Sequence, residues 1–244
     1  MRPSDIHVGT SGWQYRDWRG EFYPPKLPQK QWLEYYATQF DVVEVDATFY
    51  RLPDRNVFES WRSRTPEHFR FVVKASRFLT HVKRLKQPAE PVERLLDRAN
   101  GLGPNLAAVL LQLPPTMGAA PDLLAETLSA FGRTRVAVEL RHDSWWSGET
   151  KAVLNEYRAA TVWADRKSRH LNPLWQTGGW GYLRMHEGTA TPWPSYGREA
   201  LQSWSGRLQK AARSWDDGYV FFNNDPGGAA PRNARYLVRQ LSAG

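Results

Sequence analysis

The sequence contains no cysteine among its 244 residues. This absence excludes disulfide bonds, thiolate metal ligands and a cysteine nucleophile, and it agrees with a reducing compartment. The first residues are polar and lack the apolar stretch of a signal peptide or a membrane-spanning helix. We therefore expect a cytoplasmic protein that has no membrane partner.

Two nucleotide-binding fingerprints are absent as well. No G-x-x-x-x-G-K-[ST] or G-x-G-x-x-G segment occurs, which argues against a P-loop motor and against a dinucleotide cofactor. The segment from Gly9 to Trp13 contains a serine between two glycines, but Trp13 stands where a nucleophile elbow needs its last glycine. The sequence therefore predicts neither a cofactor nor a serine nucleophile at this position.

The chain has 41% hydrophobic and 24% charged residues, which is enough to bury a core. Short β-branched or aromatic runs alternate with segments of helical spacing, as in parallel βα units. The length is usual for a barrel of eight such units. The sequence predicts a single α/β domain over residues 1–244, a (β/α)8 barrel of the TIM type. Its sixth unit is irregular at residues 166–179, and its strands are predicted at 6–10, 42–48, 69–75, 107–113, 135–141, 161–165, 181–186 and 219–224.

Polar side chains gather where the predicted strands end, and alternation along a strand places residues two apart on one face. Active sites of TIM-type barrels lie at this end, whereas charges inside a barrel are costly unless they are paired. Two interpretations remain: a ligand site or a structural lattice of ion pairs. The residues concerned are Glu44, Asp46, Thr48, Lys74, Gln112, Glu139, Arg141, Asp165, Tyr182, Arg184, His186 and Asn224.

Four of these residues are candidate catalytic groups. Glu44 and Glu139, beside Lys74 and His186, form the best acid and base pair that the sequence offers. Lys74 could form a Schiff base if it is desolvated, but a salt bridge to Glu44 or Glu139 is its ordinary role. No metal site is predicted. The alternative is Mg²⁺ or Mn²⁺ on oxygen ligands, against which Lys74 and two arginines would compete; those ligands are Glu44, Asp46, Glu139 and Asp165.

The candidate substrate-binding residues are aromatic or polar groups at the strand ends and in the following loops. Aromatic rings beside polar groups stack on sugars and bases. Glycine amides that precede a helix hold phosphate in many such barrels, although Asn-Asp-Pro-Gly-Gly is also an ordinary turn. The set is Trp13, Tyr15, Asp46, Tyr50, Gln112, Arg141, Trp145, Arg184, Asn223, Asn224, Gly227 and Gly228.

The formal charge of +8 and the pI near 9.8 favour an anionic partner. The stretch between Arg62 and Arg98 holds ten Lys/Arg and four Asp/Glu. Such a run usually forms a solvated helix and loop exterior. A nucleic-acid-binding face is the alternative, and a binding constant that falls steeply with salt would favour it.

Several blocks along almost the whole chain together form a specific pattern. They are Gly9 to Pro24, Val43 to Tyr50, Lys74 with Thr80 and His81, Leu111 to Pro115, Glu139 to His142 with Trp145, Arg184 to His186, and Phe222 to Asp225 with Asn233 and Ala234. These blocks resemble the domain of unknown function 72 family, also called YecE-like proteins. The resemblance implies a TIM-type barrel and supplies no reaction. Asp46 and Glu187 depart from the family pattern of Asn and Gly, and both add negative charge near the expected site.

The sequence therefore predicts an enzyme, hydrolytic or isomerising, that acts in a strand-end pocket. Its small-molecule partner is a polar or anionic ring-bearing substrate, such as a carbohydrate or a nucleotide derivative. The alternative is a protein without catalytic activity that binds nucleic acid through the basic stretch from Arg62 to Arg98 and through exposed aromatic side chains.

Overall fold

The computed structural model describes residues 6–242. The strands are β1 (Ile6–Thr10), β2 (Val42–Val45), β3 (Arg70–Lys74), β4 (Leu106–Gln112), β5 (Val136–Glu139), β6 (Ala160–Arg166), β7 (Arg169–His170), β8 (Gly181–Glu187) and β9 (Gly218–Phe222). The sheet follows the order β1-β9-β8-β6-β5-β4-β3-β2, and the short β7 pairs with β6 in the antiparallel direction. The other eight strands are parallel, so the predicted (β/α)8 fold class is confirmed.

Helices separate most of the strands. Pro121 is the first residue of α4, where a missing amide hydrogen costs nothing, and Gly132 just after the helix has a φ of 58°. Residues 167–180, all of which the structure describes, form no helix, so the irregular sixth unit is confirmed. The helices are α1 (Trp32–Ala37), α2 (Arg55–Ser63), α3 (Ala89–Ala99), α4 (Pro121–Ala130), α5 (Gly148–Glu156), α6 (Arg198–Ala212) and α7 (Ala229–Ser242).

Three strands end two or three residues earlier than the sequence predicts. β2 ends at Val45, and residues Asp46–Phe49 turn into a short 3-10 helix. The Thr48 hydroxyl closes this turn by bonding to the carbonyl oxygens of Val45 and Lys74, each at 2.8 Å. The prediction that Glu44, Asp46 and Thr48 share one strand face is therefore wrong. Arg141 and Asn224 likewise lie beyond the ends of β5 and β9.

The chain divides into two compact units. Among the described residues, the first unit comprises 6–44, 163–172 and 180–242, and the second comprises 45–162 and 173–179. The first unit aligns β1, β9 and β8, with Val8 beside Val220 and Val220 beside Leu183. The second aligns β3, β4 and β5, with Lys74 beside Leu110 and Gln112 beside Glu139. The single domain stays a prediction.

Both units bury apolar side chains at consecutive positions of these strands, as is usual for parallel strands covered on both faces. In the first unit, Trp204 and Leu208 of α6 are buried. In the second, Val72, Val109 and Val138 of the three central strands are fully buried. Within the described residues, no helix is both long enough and apolar enough to cross a bilayer.

Candidate functional site

Three polar side chains stand at the last positions of three neighbouring strands in the second unit. Lys74 ends β3, Gln112 ends β4 and Glu139 ends β5. The strands are parallel and in register, so their carboxyl ends meet at one edge. All three side chains are buried. The sequence predicted each of them as a site residue, and we call this edge with its following loops the β3–β5 site.

Glu139 organises its neighbours at this edge. Its Oε2 accepts a hydrogen bond from Gln112 Nε2 at 2.8 Å, and its Oε1 accepts from Arg141 Nε at 2.8 Å and Nη2 at 2.7 Å. The Arg141 side chain is 32% exposed, whereas Glu139 is buried. Hydrogen bonds to ionised groups are short and directional. Glu139 therefore fixes the guanidinium of Arg141 at the solvent side of the site, as a positioning residue.

Lys74 is held by a carboxylate other than the two predicted. Its Nζ lies 3.2 Å from Asp46 Oδ1 and 4.7 Å from the centroid of the Phe49 ring. The predicted partners were Glu44 and Glu139, and Asp46 corrects that prediction. Lys74 therefore forms a salt bridge, which is the ordinary role that the sequence predicted for it, but with a different carboxylate.

His81 is a site residue that the sequence analysis left among the basic residues after β3. It lies in a π-helical turn, Phe78–Val82, and its ring packs edge-on against Phe49 at 5.0 Å between centroids. Burial lowers the pKa of His81, and the positive charges of Arg141, Arg77 and Lys74 lower it further. The ordinary pKa of histidine is about 6.5, so this imidazole is neutral at neutral pH.

The hydrogen bonds of Thr80 define which nitrogen of His81 carries the proton. Thr80 Oγ1 donates to the Ser76 carbonyl oxygen at 3.0 Å, and His81 Nδ1 lies 2.8 Å from the same hydroxyl oxygen. A hydroxyl group has a single hydrogen, so Nδ1 of the neutral ring is the donor to Thr80. The lone pair is then on Nε2. Only the pairing of Thr80 with His81 in one family block pointed to this arrangement in the sequence.

The first unit contains a second glutamate–arginine pair, which is sealed from solvent. Glu44 Oε1 accepts from Ser11 Oγ at 2.6 Å and from Arg184 Nη2 at 2.7 Å, and the Tyr182 hydroxyl bonds to Oε2. The side chains of Glu44 and Arg184 are both 0% exposed. This geometry matches the structural ion-pair interpretation of the sequence for these two residues.

Three further predicted residues of the first unit, His186, Asn223 and Asn224, contact other polar side chains. His186 Nδ1 lies 3.2 Å from Asn223 Nδ2, and His186 is buried. Asn224 Nδ2 donates to Asn233 Oδ1 at 2.9 Å and to the Pro194 carbonyl oxygen at 3.0 Å. Asn224 therefore ties the loop after β9 to α7 and to the loop before α6.

The amides of Gly227 and Gly228, which were predicted to hold an anion, already have partners inside the protein. The Gly227 N–H donates to Asp17 Oδ2 at 2.7 Å, and the Gly228 N–H donates to the Asp225 carbonyl oxygen at 3.2 Å. An external phosphate would have to displace the carboxylate of Asp17. The carboxylate thus occupies the position that the sequence assigned to a ligand.

The aromatic residues that were predicted to bind a ring differ in how far they are buried. Trp13 and Trp145 are buried, and Trp145 Nε1 donates to the Met117 carbonyl oxygen at 2.8 Å. The stacking surfaces predicted at these two indoles are therefore corrected to packing contacts. Tyr15 is partly buried, with its hydroxyl bonded to the Ser11 carbonyl oxygen. Among the predicted ring-binding residues, Tyr50 is open to solvent, with 83% of its surface exposed.

The carboxylates considered as alternative metal ligands each contact a different group. Glu44 faces Arg184, Asp46 faces Lys74 and Glu139 faces Arg141. Asp165 Oδ2 accepts a hydrogen bond from Trp204 Nε1 at 2.9 Å, and burial raises the pKa of Asp165. In residues 6–242 no group of three or more histidine and acidic side chains has the arrangement of a metal site.

The comparisons with known proteins agree with the sheet topology. The chain is 26% identical over 271 residues to the UPF0759 protein YunF of Bacillus subtilis, covering 97% of this chain and 94% of YunF. A DUF72 family protein from Thermotoga maritima matches 97% of this chain and 98% of its own, with a TM-score of 0.86 and 30% identity.

A more distant structure shares the fold alone. The D-psicose 3-epimerase of Clostridium cellulolyticum, solved with D-tagatose, has a TM-score of 0.58 and 13% identity, over 97% of this chain and 96% of the epimerase. The family model described as protein of unknown function DUF72 matches residues 7–244. The chain therefore belongs to the DUF72 family, whose described function is unknown.

Proposed function

We propose that the protein is an enzyme that transfers a proton during the isomerisation or hydrolysis of a small polar or anionic, ring-bearing substrate at the β3–β5 site. One observation carries this proposal: His81 and Lys74 pack against the same Phe49 ring, at 5.0 Å and 4.7 Å from its centroid, and burial together with the positive charges of Arg141, Arg77 and Lys74 lowers the pKa of His81. A base that stays unprotonated beside positive charges suits the removal of a proton from a substrate that carries negative charge.

The positive charges of Lys74, Arg141 and Arg77 favour an anionic substrate. Two of the three positive charges have a carboxylate partner, since Lys74 pairs with Asp46 and Arg141 with Glu139. Arg77 is exposed and brings the local balance to one positive charge. A phosphate or carboxylate group on the substrate would neutralise this excess. Tyr50, exposed on the loop after β2, offers a ring face for stacking.

The catalytic roles differ from those predicted. His81 Nε2 acts as the general base, and Lys74 and Arg141 bind the anionic group and stabilise charge that develops on an oxygen atom. Glu139, Asp46 and Thr80 are positioning residues, because each acts through the group that it holds. In isomerisation the base takes a proton from a carbon next to a carbonyl group and returns it to the neighbouring carbon on the same face. In hydrolysis it takes the proton from water as the water oxygen bonds to the substrate, and it gives that proton to the leaving group as the bond to that group breaks. A carbohydrate derivative fits this site, although the epimerase likeness supports only the fold.

Exchange of substrate hydrogen with solvent deuterium tests this proposal directly. We expect the protein to introduce deuterium next to the carbonyl group of at least one phosphorylated sugar. Proton NMR in deuterium oxide measures this exchange. The His81→Gln variant should lower the exchange rate by about 10²–10⁴ without a comparable loss of substrate affinity. His68→Gln is the matched control, because His68 is an exposed histidine of the same unit.

Two results would contradict the proposal. One is exchange by His81→Gln at the rate of the unmodified protein, which would remove His81 as the base. The other is the absence of exchange and of hydrolysis across phosphorylated and carboxylated ring compounds. Binding of single-stranded nucleic acid with steep salt dependence, without turnover, would instead support the alternative partner.

A further inference from the structure

A cleft of about 590 Å³ lies in the second unit beside the turn that carries His81. The loop after β2, the turn after β3 and helix α3 form its walls, and His81 does not line it. Its volume falls within the range of about 300–1,000 Å³ that small-molecule sites occupy. We call it the arginine cleft, from three arginines among its lining residues, which include Tyr50, Arg77, Phe78, Val82, Arg94 and Arg98.

Exposed apolar side chains concentrate in this cleft. Tyr50, Phe78 and Val82 all line it, and the last two are 41% and 56% exposed. They are three of the eight large apolar side chains that the described part of the chain exposes. Scattered exposed apolar residues need no explanation, whereas apolar residues grouped around one concave surface mark a binding site.

The three arginines of the cleft are bound to the protein to different degrees. Arg98 Nη1 lies 2.7 Å from Asp54 Oδ1 and also contacts the carbonyl oxygens of Leu52 and Pro53, so it holds the loop in place. Arg94 pairs with Glu90 at 3.6 Å, and both side chains are at least half exposed. Surface pairs of this kind contribute little and exchange readily. Among the described residues, Arg77 makes no ion pair.

We propose that the arginine cleft binds a small ligand in which an anionic group is joined to a flat ring. Arg77 and Arg94 receive the anion, since a guanidinium group matches the geometry of phosphate, sulfonate or carboxylate. Tyr50 and Phe78 pack against the ring. This ligand site adjoins the β3–β5 site and shares Tyr50 and Arg77 with it, but ligand binding in the cleft does not depend on proton transfer at His81.

The probe for this proposal is anilinonaphthalene sulfonate, a fluorescent anion with flat rings, titrated into the full-length protein. The uncharged phenylnaphthylamine serves as its neutral counterpart. We expect saturable binding of the sulfonate at a single site. In the double variant Arg77→Gln and Arg94→Gln, the affinity for the sulfonate should fall about tenfold or more, while the affinity for the neutral probe stays unchanged. Tyr50→Ala should weaken both probes.

The controls separate the cleft from charge in general and from partial unfolding. Arg133→Gln removes an exposed arginine elsewhere in the same unit and should leave both affinities unchanged. Each variant is checked by thermal melting, because partly unfolded proteins also bind this dye. Equal sulfonate binding by the double variant and by Arg133→Gln would overturn the proposal, as would equal affinities of the unmodified protein for the two probes.

Competition identifies the ligand class. Adenosine monophosphate, which joins a phosphate to a ring, should displace the sulfonate at concentrations at which inorganic phosphate does not. Equal displacement by inorganic phosphate would overturn the requirement for a ring. His81→Gln should bind the sulfonate like the unmodified protein. If deuterium exchange fails but dye binding depends on the arginines, the proposed function is rejected and the inference about the cleft stands. If deuterium exchange occurs but dye binding does not depend on the arginines, the inference about the cleft is rejected and the proposed function stands.

Discussion

The two glutamate–arginine pairs of the protein use the same chemistry in different surroundings. Glu44 and Arg184 of the first unit are both 0% exposed, and Ser11 and Tyr182 complete the hydrogen bonds of the carboxylate. Glu139 of the second unit is equally buried, but its partner Arg141 reaches solvent. The exposure of the arginine, rather than the identity of the pair, thus separates a structural contact from a group that a ligand can reach.

Removing the arginine of each pair gives the largest expected contrast. Arg184→Met leaves the Glu44 charge buried without its cation, and breaking such a pair typically costs about 3–5 kcal/mol of the free energy of unfolding. Arg141→Met should cost less, about 1–3 kcal/mol, because water can enter the space left by the partly exposed guanidinium and Gln112 still donates to the Glu139 carboxylate. Urea unfolding of both variants measures the difference. Equal losses would show that burial does not distinguish the two pairs.

Glu139→Gln sharpens the comparison at the solvent-facing pair. The glutamine keeps an oxygen acceptor but removes the charge that holds Arg141, so we expect ligand affinity or turnover to fall about tenfold. The free energy of unfolding should fall by only about 1 kcal/mol. Parallel unfolding curves and ligand titrations test this split. A large drop in melting temperature with unchanged binding would instead place Glu139 in a structural lattice.

We expect the buried side chain of Asp165 to make the free energy of unfolding fall as pH rises. Its folded-state pKa is raised, mainly because the side chain is buried. Protonated Asp165 therefore favours folding, and this contribution is present at low pH and is lost as pH rises above the usual carboxyl range through the raised pKa. The unfolding free energy of the unmodified protein, relative to Asp165→Asn, should fall across that interval in urea titrations at successive pH values. A difference in unfolding free energy that stays constant with pH would contradict a raised pKa for Asp165.

His81 provides the smallest expected effect and the corresponding test in the second unit. Burial lowers the pKa of His81 and the positive charge of Arg141 lowers it further, so Arg141→Gln should raise this pKa toward its ordinary value. Proton NMR of the imidazole ring during a pH titration measures the shift. Arg184→Met is the comparison variant, and a shift of equal size there would refute the assignment of the effect to Arg141.

The sequence was a good guide to the number and order of the βα units, and a poor guide to the last residues of several strands and to which side chains reach solvent. The alternation of βα units predicted the fold, and it placed Lys74, Gln112 and Glu139 at strand ends because a buried strand has a recognisable length. It placed Asp46 wrongly, because the turn that begins there depends on a hydrogen bond from Thr48 to a residue of the next strand.

Burial and turn geometry explain the remaining differences. Trp145 and Tyr50 both follow predicted strands, and nothing local distinguishes the fully buried indole from the exposed phenol. His81 reaches its position through a π-helical turn, whose five-residue geometry has no periodic sequence pattern. The availability of the Gly227 amide depended on Asp17, which is 210 residues away in the sequence.

Arg77 belongs to two surroundings at once, since it lines the arginine cleft and contributes to the positive field at His81. An anion bound in the cleft would offset one of the charges that keep the imidazole neutral. The proton affinity of His81 would then rise, and the pH at which it changes protonation state would move upward. By reciprocity, protonation of His81 would strengthen anion binding in the cleft. Through the single side chain of Arg77, anion binding and protonation of His81 would each favour the other.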